Sequence, residues 1–231
     1  MVLAGPLGRR GGAKVRVNAV IGHGVVRALA AVPVMRSVYV EGTGAHPGHV
    51  GLGLAIDVPK ADGSRTLLVP CIPEADALDF AAFHAAYEDV VRRVRSNRIA
   101  PDDFAGVTMT LTNPGTLGTV SSVPRLMPGQ SVIVGVGVLG WPAEYAGADP
   151  QVMAPLGISQ VLTLTSTYDH RGIPGPASGL PHQRVGRPLL GDDGFYDYTS
   201  HQLGVACRTV SVGPDYPPPD GTLRRTHDPP R

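Results

Sequence analysis

The sequence predicts a two-layer α/β sandwich: a mixed sheet with helices packed on one face. Two helix-length segments each carry a single apolar stripe, and short alternating or wholly apolar runs separated by Gly and Pro lie between and after them. At 231 residues the chain is long enough for one full-sized core, and no linker interrupts its middle.

Residues 1 to 13 are rich in Gly and Arg and are expected to be disordered, with one domain from 14 to 205. Between Val15 and Val32, apolar residues at Val17, Val20, Ile21, Val25, Ala28 and Leu29 follow helical spacing and stop before Pro33. "SVYVEG" reads as a short strand and Gly42 to Gly48 as a loop. "HVGLGLAIDVP" and "RTLLVPCI" read as two strands of a hairpin, turned by Asp62-Gly63. Phe80, Phe83, Tyr87, Val90, Val91 and Val94 form the stripe of a second helix that ends before Pro101, with Glu88, Arg92, Arg93 and Arg95 on its other side. In "AGVTMTLTNPG", Val107, Met109 and Leu111 alternate with Thr108, Thr110 and Thr112, a strand with hydroxyls on one side. "QSVIVGVGVLG" is apolar enough for a central strand, and "SQVLTLTSTYDH" is a further one. After Gly175 the breakers Gly179, Pro181, Gly186 and Pro188 predict an irregular segment from about residue 177. Residues 206 to 231 are expected to form a Pro-rich disordered tail.

Charge excludes some functions. Lys and Arg number 20 against 19 Asp and Glu, so the basic excess that a nucleic-acid surface requires is missing. No window offers the ~18 apolar residues of a membrane span. Basic residues follow the short apolar stretch at the start, the reverse of a secretory signal, and two cysteines cannot make a disulfide framework. A cytoplasmic protein with neither nucleic-acid nor membrane partners is expected.

Few motifs carry chemistry. "GVGVLG" at 135 to 140 matches G-x-G-x-x-G, but Trp141-Pro142 follows where a dinucleotide site needs a helix, so packing glycines are the reading. His46 and His49 lack a third ligand at a usable spacing, and no metal is expected. His23 and His84 fall within helices. Cys71 follows Pro70 with no activating base nearby in sequence and reads as an inert buried thiol. What remains is His170, set between Asp169 and Arg171 at a strand end, and the threonine ladder ending at Thr112.

Those two features sit in longer matching segments. "DFAGVTMTLTNPGTLGTVSSVPRLMPGQSVIVGVG" and "LGISQVLTLTSTYDHRGIPG" resemble the catalytic domain of the 2-oxo acid dehydrogenase dihydrolipoamide acyltransferases, a fold shared with chloramphenicol acetyltransferase. "HVGLGLAIDVP", "AAYEDVVRRVR" and "PAEYAGA" make the chain most similar to the acyltransferase domain of multifunctional 2-oxoglutarate enzymes. The resemblance implies that His170 is the general base and that Thr112 hydrogen-bonds the oxyanion. The two meet across a homotrimer interface, and an acyl group, most simply succinyl, passes from a dihydrolipoyl thioester to coenzyme A. It further implies a lipoyl group carried on another domain or chain, a thiamine-diphosphate decarboxylase component and dihydrolipoamide dehydrogenase as partners, and no metal. The chain departs from the family at Pro174, where Asp or Gln is expected four residues after the histidine. That departure leaves open a catalytically weak or inactive trimer-forming scaffold; transfer to a hydroxyl acceptor is a third reading.

Overall fold

A computed structural model of the chain describes residues 15–60, 62–190 and 194–204. The amino end and the Pro-rich tail, both expected to be disordered, fall outside these residues. Helix α1 (Val17–Ala30) comes first, and Arg16 just before it pairs through Nε with Glu88 at 2.6 Å. Strands β1 (Val38–Val40) and β2 (Thr43–Ala45) form a hairpin inside what the sequence presents as strand and loop. Its turn residues Glu41 and Gly42 take φ of 50° and 83°, the positive pair that a type I′ turn demands.

The next two expected strands each divide. "HVGLGLAIDVP" becomes β3 (Leu52–Leu54) and β4 (Ile56–Pro59), and "RTLLVPCI" becomes β5 (Arg65–Leu68) and β6 (Cys71–Ile72). The hairpin exists, but its outer part, β4 with β5, forms a separate two-stranded sheet, while β3 and β6 join the main one. Burial explains the division: Leu52, Gly53 and Leu54 are enclosed, whereas β4 and β5 alternate between half-buried and exposed.

Helix α2 (Phe80–Arg95) buries the six residues of the expected stripe. Asp79 caps it, accepting from the Ala82 amide at 2.8 Å, and three arginines in its last turn complement the helix dipole. Strands β7 (Met109–Thr112), β8 (Val132–Val136) and β9 (Leu164–Tyr168) complete the main sheet, ordered β6-β3-β7-β8-β9. The β3–β7 and β7–β8 pairs are parallel and the outer pairs antiparallel, so the sheet is mixed as expected. Leu52, Leu54, Met109, Leu111, Val132 and Val134 join the residues of the helices in one core. The opposite face holds small and hydroxylated residues, among them Gly53, Thr110 and Gly135.

The carboxyl segment corrects an expectation. A short helix α3 (Pro150–Met153) precedes β9; beyond it, residues expected to be irregular form α4 (Gly175–Leu189) and α5 (Phe195–Gln202). Helix propensity is a weak prior, and burial outweighs it here. Val185 and Leu189, one turn apart, are buried in the core, and a Cβ at Gly24 of α1 would already meet Leu189 at 3.4 Å. Pro176 lies at the first turn of α4, where its missing N–H costs nothing.

Candidate active site

Thr112 ends β7, half-buried, and the chain then turns through Asn113, Pro114 and Gly115. That turn is held by close packing. A Cβ on Gly115 would lie 2.3 Å from the carbonyl carbon of Gly137, so only glycine permits the approach of the turn to the strand end. Asn113 donates to Asn18 at the start of α1, and Thr116 Oγ1 donates to the Asn113 carbonyl at 3.0 Å. Behind Thr112, Thr110 is buried and donates to Gln130 Oε1 at 2.8 Å. The threonine ladder therefore faces away from the helices, as its alternation implies.

His170 lies in the turn after β9, exposed, its ring 4.7 Å from that of Tyr168. The neighbours hold each other. Arg171 donates from Nε to Asp169 Oδ1 at 2.9 Å and from Nη2 to Oδ2 at 2.6 Å. These bonds, with the Arg171 amide, pull the Asp169 carboxyl down to about 2, well below the ordinary carboxylate range. The amides of Gly172 and Ile173 donate to the Asp169 carbonyl at 3.1 and 3.0 Å, closing the turn. Pro174 is the N-cap residue of α4.

Strand register shows how far apart the two candidates are. Thr112 pairs with Gly135 and Gly135 with Thr165, whereas Tyr168 pairs with Val132 at the opposite end of the sheet. His170 lies beyond Tyr168, so at least three residues of strand, ~10 Å, separate the two rows before the turn is added. The sulfur, carbonyl carbon and oxygen of one thioester span only ~3 Å in an aligned reaction. Within one copy the backbones of the two candidates thus stand farther apart than those reacting atoms.

Other sequence candidates settle into packing. His23 is 2 % exposed among the rings of Phe80, Phe83, Phe195 and Tyr198, with neither ring nitrogen hydrogen-bonded. Burial first, then the charge of Arg27, pushes its imidazole down to about 4. Burial pushes the Cys71 thiol up to about 11, as an inert thiol requires. His46 Nδ1 sits 3.0 Å from Ser37 Oγ, and His49 Nδ1 lies 3.6 Å from Asp76. No helix opens at "GVGVLG"; Gly135 lies in β8 and Gly140 bridges to Val161. Sequence reasoning overlooked the reach of the β1–β2 hairpin, from which Tyr39 stacks on Arg171. A lone tyrosine in a short strand gives no signal of that contact.

Comparison with known proteins places the chain in a family. The chain is 45% identical over 221 residues to the multifunctional 2-oxoglutarate metabolism enzyme of Mycolicibacterium vanbaalenii, covering 94% of this chain and 18% of that protein. It is 44% identical over 215 residues to the 2-oxoglutarate dehydrogenase E1/E2 component of Corynebacterium glutamicum, covering 91% of this chain and again 18% of the relative. The chain thus spans less than a fifth of the length of these relatives. Its fold resembles a truncated catalytic core of the 2-oxoacid dehydrogenase multienzyme complex from Thermoplasma acidophilum, with a TM-score of 0.64, 24% identity and coverage of 78% of this chain and 76% of that one. It also resembles Azotobacter vinelandii dihydrolipoamide acetyltransferase, with a TM-score of 0.62, 23% identity and coverage of 83% and 72%. The family model for the catalytic domain of 2-oxoacid dehydrogenases acyltransferase matches residues 6–184, and the chain belongs to that family.

Proposed function

We propose that this chain transfers an acyl group, succinyl in the first instance, from a dihydrolipoyl thioester to coenzyme A, with His170 of one copy and Thr112 of the next forming each site of a homotrimer. The placement of His170 and Thr112 at opposite ends of one sheet supports the reading, because a site shared between copies brings together residues that one copy holds apart. A stretch leaving the Thr112 turn supports the same conclusion: Leu117, Val120, Val123 and Met127 are 73, 65, 89 and 53% exposed, an apolar strip suited to a second copy. The names of the 2-oxoglutarate relatives favour succinyl over other acyl groups.

The chemistry follows from the two side chains. A thiol with a pKa near ~8.5 is only slightly ionised at neutral pH, and a neutral His170 imidazole takes its proton. The sulfur attacks the thioester carbonyl and the carbonyl electrons move to oxygen, where the Thr112 hydroxyl donates a hydrogen bond worth on the order of 3 kcal/mol. Collapse re-forms the carbonyl, breaks the bond to the lipoyl sulfur, and returns the proton from His170 to that leaving group. A lipoyl domain, a thiamine-diphosphate decarboxylase component and dihydrolipoamide dehydrogenase are the partners this reaction calls for, on the same polypeptide or on others.

Pro174 favours a second reading, a catalytically weak scaffold. In the Azotobacter vinelandii acetyltransferase a serine, a histidine and, four residues after the histidine, an asparagine were investigated for their roles in catalysis, whereas Pro174 has no side-chain donor. The test is turnover of succinyl-dihydrolipoamide with coenzyme A, combined with light scattering. Trimeric protein with turnover supports the enzyme; a trimer that neither turns over nor binds coenzyme A supports the scaffold.

A further inference from the structure

The turn that presents His170 rests on the β1–β2 hairpin. The guanidinium carbon of Arg171 lies 4.1 Å from the centre of the Tyr39 ring, a cation stacked on an aromatic face. Gly172 packs beside it so closely that an added Cβ would stand 3.3 Å from the Ser37 Cβ, and Ser37 Oγ is tied to His46 Nδ1. Tyr39 and Ser37 thus brace the turn from one side, Ser37 being held in turn by His46, and within the turn His170 follows Asp169, precedes Arg171 and lies against the Tyr168 ring.

We propose that Tyr39 is a positioning residue for acyl transfer: its ring holds Arg171 in place, so that Arg171 keeps both oxygens of Asp169 engaged and that carboxylate is withheld from His170. The inference rests on the assignment of His170 as base. Arg171 is 63% exposed in its side chain, so without the ring only its bonds to Asp169 hold it against solvent. The released Asp169 carboxylate then favours the imidazolium, and a protonated His170 cannot accept a proton from a thiol. The Asp169 carboxyl, held low by Arg171, returns toward the ordinary carboxylate range on release and is still ionised at neutral pH.

The experiment compares the parent chain with Tyr39→Phe, which keeps the ring, and Tyr39→Leu, which removes it. Tyr39→Phe is expected within about twofold of the parent in kcat, and Tyr39→Leu about fivefold lower with KM for coenzyme A unchanged. The acid limb of the kcat/KM profile moves to higher pH in Tyr39→Leu alone. A Tyr39→Leu protein with the parent's pH profile overturns the proposal, even if its Tm falls, because that is merely structural packing. Equal losses in both variants overturn it as well, since the hydroxyl and not the ring then matters. NMR titration of the His170 ring separates this inference from the functional reading on which it rests. If the parent shows no turnover, a higher midpoint in Tyr39→Leu still supports the clamp, and an unchanged midpoint sinks it.

Discussion

The two ends of the main sheet are built differently. At the Thr112 end, position is fixed by backbone contact: Gly115 lies against Gly137, Asn113 is bonded to α1, and Thr110 is buried on Gln130. At the His170 end, position is fixed by charge and a ring, with Asp169, Arg171 and Tyr39 at the surface. The contrast matches the work each residue is assigned. A hydroxyl that stabilises a developing oxyanion acts as a fixed dipole and gains from rigid, partly dry surroundings. An imidazole that gains and loses a proton in each cycle needs surroundings that tolerate both charge states, which an exposed polar turn provides.

Several measurements break or sharpen that comparison. The largest effect is expected for His170→Ala, which should lower kcat by ~10²- to 10⁴-fold while leaving the circular dichroism spectrum unchanged. Parent-level turnover in that variant removes the base from the account. Thr112→Val should cost ~10²-fold in kcat with little change in KM. Mixing these two inactive variants in one trimer tests the division between copies: roughly a quarter of parent activity returns if each site takes one residue from each of two neighbours. No recovery means that both residues act within one chain.

Stability measurements separate the ends further, and the helix layer sets the acid limit for both. His23 is neutral when folded down to about pH 4, whereas in the unfolded chain it takes a proton near its usual 6.5. Between those values the unfolded state binds more protons, so stability falls as pH is lowered through the window, by on the order of 3 kcal/mol. Urea unfolding of His23→Phe, which fits the aromatic surroundings, should lose most of that slope. Gly115→Ala should cost about 3 kcal/mol, since the backbone around Gly137 must move to admit the methyl group. Arg171→Met, by contrast, should shift the urea midpoint far less, because the Arg171 side chain is largely solvated. Equal losses at Gly115 and Arg171 would erase the distinction between a packed end and a charged one.

Both helices ahead of β7 were legible because each has one apolar stripe and a clear stop. The strands β7, β8 and β9 were legible because period-two alternation and a wholly apolar run have few other structural meanings. Helix α4 was not, because Gly179, Pro181, Gly186 and Pro188 argue against a helix locally, and only the core contacts of Val185 and Leu189 outweigh them. The division of the hairpin into two sheets was hidden as well, since a continuous β pattern does not reveal where burial stops. For the site, His170 and Thr112 stood out through the resemblance of the segments that hold them, while Tyr39 did not, being some 130 residues from Arg171 along the chain.

The sequence by itself determined most of the local conformations and the α/β class, because periodicity and turn chemistry act over a few neighbours, and its resemblance to a family pointed to His170 and Thr112. Only the tertiary structure decided that α4 forms, that Tyr39 reaches Arg171, and that the strand ends carrying His170 and Thr112 lie at opposite ends of the main sheet. Strand pairing sets those relations, and it joins residues whose separation along the chain carries no local signal.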